Sequence, residues 1–357
     1  MLEKLLDRFR EKGPSRPRTK TETEKRRRLV IVLLIVVAVL SAVSLVGYGY
    51  YDTNVRPWKQ RILKVNSTVI EMRAFVKTMR TWTALYQIYY GSTITASSEL
   101  AQSAVTSMQE NELKRQELEG AYGIHIGEDA IDEELRGMLV SENATDEEFN
   151  EQYDTWKTNL KSYGLTIKDF KELYIKPMLI GEELQKQIGD RDYPATDNLE
   201  HAQVQALLVT GSDAAAQLRA RWESGEAFDT LAEEESVSES LRDTDSDNIS
   251  TIEWVAKGIK SEAFDNYTFS AAPEVLSDPI QDSDSTGSYW LIRVVARESR
   301  VLSESDRDNL VSEAYSKWLE EAKAQASADN AIVNYLDKEG GTAKLNWALD
   351  HVAVSES

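Results

Sequence analysis

Catalysis needs nucleophiles, acids, bases or metal ligands at workable spacing, and this chain of 357 residues offers few of them. It has no cysteine, which excludes a thiol nucleophile, a disulfide framework and a thiolate metal site. Its three histidines, His125, His201 and His351, are far apart in sequence and read as surface or packing residues. Asp243-x-Asp245-x-Asp247-Asn248 has the opening of a calcium loop, but Trp254 stands at the twelfth position, where a bidentate Glu is required. A solvated acidic loop is the simpler reading, and Glu233-Glu234-Glu235 reads as an exposed helix end. No paired-carboxylate or phosphate-loop motif stands out, and the Asn-x-Ser/Thr triplets at Asn66, Asn143, Asn248 and Asn266 matter only in a glycosylating host. Aromatic residues remain: Trp254 and Trp290 could floor a groove for extended polypeptide or plug the core of a small sheet.

The elements that would position these aromatics follow in order. An apolar strand, Ala206-Leu207-Leu208-Val209, precedes an Ala-rich helical run over 213–224 and a second short helix. A polar loop over 236–250 leads to Ile252-Glu253-Trp254-Val255, a turn over 275–279 and a closing strand, Tyr289-Trp290-Leu291-Ile292-Arg293-Val294-Val295. That order, with Gly225-Glu226-x-Phe228-x-x-Leu231-Ala232 and Trp254-x-x-x-Gly258-x-x-x-x-x-Phe264-Asp265, resembles the parvulin-type (PpiC-like) peptidyl-prolyl isomerase domain over about 100 residues.

The resemblance implies an α+β fold and an apolar proline pocket, ringed by two histidines, a Cys or Asp and a Ser or Thr. Rotation about an X-Pro bond faces a barrier of roughly 20 kcal/mol, which such a pocket lowers without covalent chemistry or a cofactor. The pocket positions fall on Ile252, Lys260 and Phe264, so Lys replaces the usual Met. One histidine position falls on Ala206, the other on Trp290, and the Cys or Asp position near Ser238. The nearest hydroxyls are Ser285 and Thr286. With both histidines replaced, the expectation is a retained domain whose isomerase activity is weak or lost, with Ile252, Trp254, Lys260, Phe264 and Trp290 as polypeptide-binding residues.

Charge is distributed unevenly. Residues 1–28 carry eleven Lys/Arg against five Asp/Glu, so the formal −20 of the chain becomes −26 for everything after them. Such a balance excludes nucleic-acid binding by the whole chain. Residues 29–51 contain no charge. As a helix they would span roughly 35 Å, enough for a hydrocarbon core of about 30 Å. Lys25-Arg26-Arg27-Arg28 precedes them and Tyr48, Tyr50 and Tyr51 close them. The positive-inside rule then puts the N-terminus in the cytoplasm and the body outside. A cleaved signal peptide is the rival, with a shorter apolar region expected.

Beyond the span, apolar residues recur at helical spacing at Met72, Phe75, Val76, Met79, Trp82 and Tyr86, then at Leu100, Ala104, Val105 and Met108. Thr145-x-x-Glu148 and Thr166-x-x-Asp169 mark helix starts, and Pro177 a kink. Gly123-Ile124-His125-Ile126 followed by Glu128-Asp129, and Tyr163-Gly164-Leu165-Thr166 before Phe170, resemble the SurA-type N-terminal domain of extracytoplasmic folding chaperones. That resemblance implies a segment after the isomerase-like domain that packs back on the helical one.

The expected organisation is a basic cytoplasmic tail over 1–28, a transmembrane helix over 29–51 and an all-helical SurA-like domain over 52–193. A parvulin-like domain over 199–300 and a returning helical segment over 301–357 complete it. Its expected role is a single-pass, membrane-anchored folding factor with unfolded exported polypeptides and the bilayer as partners. A non-catalytic module docking one folded partner, and an active isomerase, are the alternatives.

Overall fold

The computed structural model describes the backbone of residues 20–235 and 251–352, and side chains over 36–235, except at 38, and over 254–352. The tail up to residue 19, the Ser238 position and the acidic run from Asp243 to Asn248 lie outside the described residues. Helix α1 (Lys20–Asn54) contains the whole uncharged stretch. Among the described residues no helix is long and apolar enough to cross a membrane, and within 29–51 those side chains begin at Val36.

After a single turn at Pro57–Lys59 the chain enters a hairpin, β1 (Arg61–Val65) and β2 (Thr68–Glu71). Asn66 at its tip has φ 53°, a left-handed conformation that Asn tolerates. A two-stranded hairpin is marginal alone, and here its other edge is taken by β7 (Ile332–Asn334), with Val65 opposite Ile332 and Leu63 opposite Asn334. The helical unit is therefore not all-helical. A sheet of order β2-β1-β7 sits within it, built from β-branched runs separated by some 260 residues.

Helices α2 (Met72–Tyr90) and α3 (Ser98–Ala121) cover that sheet. Their core joins Ile62, Leu63, Met72, Phe75, Met79 and Val105 to Ala326, Ala348 and Val352 from the far end of the chain. A second core, including Ile131, Leu135, Trp156, Leu160 and Phe170, is made by α4 (Glu128–Leu139), α5 (Asp146–Ser162) and α6 (Ile167–Phe170) with the end of α2. Both threonine capping boxes close, and Asp169 of the second also accepts from Lys77 Nζ at 2.6 Å. Pro177 has no N–H and its ring clashes with the carbonyl four residues back. The turn before it, Lys171–Ile175, widens to π geometry before α7 (Lys176–Asp192) resumes.

The middle unit is a four-stranded antiparallel sheet of order β4-β3-β6-β5. Its strands are β3 (Asn198–Thr210), β4 (Thr251–Ala256), β5 (Ile280–Gln281) and β6 (Ser288–Val301). Helices α8 (Ser212–Glu223) and α9 (Phe228–Glu235) pack on Leu207, Val209 and Leu291, whereas α10 (Glu262–Thr268) packs on Val204, Ala206, Trp290 and Ile292. This follows from the two-residue period of a strand. The two long strands extend well beyond their apolar stretches, so His201 is a packing residue, a buried member of β3 with Nδ1 2.8 Å from the Leu199 carbonyl.

From β6 the chain returns through α11 (Glu304–Ala328) and, after β7, α12 (Gly341–Val352). Along α11, Ala314, Tyr315 and Trp318 lie against Leu118, Ile180, Leu184 and Ile188. Arg307 donates to Asp190 at 2.9 Å and to the Tyr193 carbonyl at 2.8 Å, tying α11 to the end of α7. Gly189 lets the two helices approach: a Cβ there would meet Val311 Cγ2 at 2.8 Å. Gly189→Ala should lower the thermal midpoint, at a cost of about 1–3 kcal/mol for overpacking. Gly120→Ala, in open space on α3, should raise stability by about 0.5–1 kcal/mol through helix propensity alone. Equal effects from the two would remove the close-contact account.

Candidate functional site

The aromatic set of the sheet unit is interior. Phe264 is 0% exposed and Trp290 6%; their rings meet edge-on with centroids 5.1 Å apart. Trp290 Nε1 donates to Asp282 Oδ1 at 3.0 Å, which satisfies the indole within the fold. Of the expected floor, Trp254 and Trp290, the second is therefore interior, and the expected pocket residue Phe264 is fully buried beside it, the alternative in which the rings plug the core of a small sheet. The reason lies across the sheet, where the buried residues Ala202 and Ala206 leave space on the α10 face that the two large rings fill. A histidine at 206 would have to enter that packed layer.

The other expected positions are dispersed. Ile252 pairs with Val204 through the backbone, and its side chain lies outside the described residues. Trp254 is half-buried at φ 38°, with the Arg300 guanidinium 4.6 Å from its ring centre. Lys260 is half-exposed. Ser285 Oγ lies 3.0 Å from Ser288 Oγ. Asp265, next to Phe264, accepts from the Gly258 N–H at 2.6 Å through Oδ2, while its buried Oδ1 has no partner. Burial pushes the Asp265 carboxyl above its ordinary range, against the opposing Gly258 hydrogen bond. Among the described residues no three His, Cys, Asp or Glu are grouped to hold a metal.

A more open aromatic surface lies in the helical unit. The apolar stripe of α2 is buried from Met72 to Met79, but the same face continues beyond the core through Trp82, Tyr86 and Tyr90, with Tyr89 beside it. Tyr86, Tyr89 and Tyr90 are 39%, 58% and 72% exposed, and the rings of Tyr86 and Tyr90 lie 4.9 Å apart. Next to them opens a cleft of about 350 Å³, lined in part by Trp82, Leu173, Tyr174, Pro177, Met178 and Tyr315. Burial raises Tyr174, helped by the neighbouring Tyr89, and pushes Tyr315 up to about 12, so both phenols stay neutral donors. Lys114 Nζ lies 5.8 Å from the Tyr315 ring centre.

Such a surface can hold apolar and aromatic side chains by stacking and desolvation, while its phenols, Asn111 and Gln185 can hydrogen-bond a backbone. Lys114 and Glu182 also line it. Trp82 and Tyr86 were legible only as members of a helix face. Tyr89 and Tyr90 were missed, and their one signal was aromatic spacing that runs past the predicted core.

Residues 21–184 match the family model described as the SurA-like N-terminal domain. No curated protein matches the chain. Among solved structures it is similar to the peptidylprolyl isomerase PrsA of Bacillus anthracis, at 18% identity and a TM-score of 0.38, covering 70% of this chain and 99% of that one. PrsA of Bacillus cereus gives 14% identity and a TM-score of 0.38, with 84% and 95% covered. A structure describing PEB4 and Cj1289 as SurA-like chaperones of Campylobacter jejuni gives 14%, 0.25, and 58% and 93%.

Two outcomes test the interior placement. Phe264→Ala should cost about 3–5 kcal/mol of stability, seen as an early unfolding transition of the sheet unit, instead of a selective loss of peptide binding. Because burial raises Asp265, the folded state holds its proton more tightly than the unfolded chain does. Stability from this group is complete below the ordinary carboxylate pKa and is lost as pH rises through the raised value. Asp265→Asn, whose side-chain oxygen still accepts from Gly258, should therefore melt higher than wild type above that window and show no advantage below it.

Proposed function

We propose that this protein is a membrane-anchored folding factor that binds unfolded, exported polypeptides at the outer face of a membrane, with prolyl isomerase activity weak or lost. The match of residues 21–184 to the SurA-like N-terminal domain supports a protein-folding role. The observation that carries the binding reading is the exposed aromatic face of Tyr86, Tyr89 and Tyr90, continued by the half-buried Trp82 into the Tyr174–Tyr315 cleft. Large rings left in water cost free energy that a bound chain would recover.

The order strand, two helices, strand, helix, two strands in the sheet unit supports its parvulin-like reading. Ala206 and Trp290 at the histidine positions support loss of catalysis, because neither supplies an imidazole there. Anchoring rests on residues 29–51 and on the exposure of Val36, Val37, Val39, Leu40, Val43, Leu45 and Val46 around the described part of α1. A tether raises the effective concentration of the binding face near emerging chains. The basic residues before the span give a cytoplasmic N-terminus and an extracytoplasmic body.

The test is suppression of aggregation of a chemically unfolded client by the full chain in lipid nanodiscs. Replacing Tyr86, Tyr89 and Tyr90 together by Ser should leave the thermal midpoint in place and weaken suppression on the order of ten-fold, the consequence of about 1–2 kcal/mol lost at an aromatic anchor. Wild type should give no acceleration in a protease-coupled proline-peptide assay. Equal suppression by variant and wild type would remove the aromatic face from the reading. Capture of one folded partner, without effect on unfolded chains, would favour a docking module.

A further inference from the structure

Where α1 leaves the proposed span, a cationic cleft opens beside its end. α1 runs unbroken to Asn54, and the Val55 and Arg56 N–H groups still donate to the Tyr51 carbonyl at 3.0 and 2.9 Å. Arg56 is five residues beyond Tyr51, roughly 8 Å along a helix axis. The polar layer of a bilayer is about 5–8 Å deep on each side of its hydrocarbon core. Arg56 therefore sits at phosphate depth if the span ends at Tyr51.

A cleft of about 500 Å³ opens beside it, lined by Arg56, Pro57, Gln60, Gly340, Ala343, Lys344 and Trp347. Two cations and no carboxylate line it, in a chain that carries −26 after residue 28. Arg56 is paired with Asp52 at 2.6 Å, but the Arg56 side chain is largely in water and that of Asp52 partly so, where such a pair is worth little and can be exchanged for a phosphate. Lys344 Nζ donates to the Arg61 carbonyl at 3.3 Å and lies 5.4 Å from the Tyr335 ring centre, leaving other protons for a ligand.

The cleft is also fixed to the helix that would hold it there. The Trp58 ring packs edge-on to Trp347, with centroids 4.9 Å apart, and Trp347 stacks on His351 at 3.7 Å. Arg80 Nε of α2 donates to the His351 carbonyl at 2.9 Å, so the turn after α1, α12 and α2 form one packed corner. A face held this close to a bilayer meets lipid phosphates in preference to a diffusing anion.

We propose that Arg56 and Lys344 dock the body on anionic lipid headgroups, their cleft taking a lipid phosphodiester and so setting the tilt of the body over the membrane. This rests on the reading of residues 29–51 as a span. Because the chain has no cysteine, a single introduced Cys carries a fluorophore at a chosen site. Thr342→Cys, exposed beside the cleft but outside its lining and labelled in the full chain in nanodiscs, should be quenched by headgroup spin-labelled lipid more strongly in phosphatidylglycerol-doped discs than in phosphatidylcholine discs.

Adding Arg56→Gln and Lys344→Gln should reduce the docked-to-undocked ratio on the order of five-fold per cation, and raised salt should act in the same direction. Quenching indifferent to lipid charge, or unchanged in the double variant with an unchanged thermal midpoint, would overturn the docking. A label at Tyr48→Cys separates the two readings. It should be quenched near the interface in both lipids; its failure there would overturn the span and the docking with it, whereas its success beside a silent Thr342 label overturns the docking alone.

Discussion

One antiparallel contact closes the molecule: β7 laid along the free edge of β1. Without it the β1–β2 hairpin would be a two-stranded ribbon of marginal stability, with unpaired backbone groups along one edge. With it, Ala326, Ala348 and Val352 enter the same core as Phe75 and Met79. The entropic cost of joining segments so far apart in sequence grows only slowly with the length between them. A whole sheet unit can therefore be carried between the two halves of the helical one.

This closure also sets where function can reside. Returning α11 across α7 brings Tyr315 beside Tyr174 and Met178, so the aromatic cleft is shared between segments on both sides of the sheet unit. Returning α12 beneath the Pro57–Lys59 turn places Lys344 beside Arg56. The second cleft needs both ends of the chain, whereas the first is walled by the N-terminal segment and closed by Tyr315. In the sheet unit the same tight closure works against a groove: once Ala202 and Ala206 occupy β3, the large rings of Phe264 and Trp290 are drawn into the interior.

The two units differ in what they leave in water. The sheet unit buries Trp290 and hydrogen-bonds its indole, while the helical unit leaves three tyrosines of α2 exposed. Gly258 marks where the two touch, since a Cβ there would lie 2.7 Å from Leu310 Cδ2 on α11. Asp265 hydrogen-bonds to that glycine, so the turn at the contact is held from within the sheet unit.

Local signals were legible from residue types. The uncharged stretch lies in one helix, the two threonine boxes cap their helices, and Pro177 disturbs its helix, though through a π turn in place of a sharp kink. These depend on neighbours within a few residues. The helical unit's sheet escaped the reading because three short strands gain meaning only when paired across the chain. So did the burial of Phe264 and the exposure of Tyr89 and Tyr90, for an aromatic residue has the same sequence signature on either side of a surface. Residue order determined the helix starts, the uncharged stretch and the absence of thiol chemistry. Tertiary structure alone decided which rings meet water, because burial belongs to the space between elements and no single element contains it.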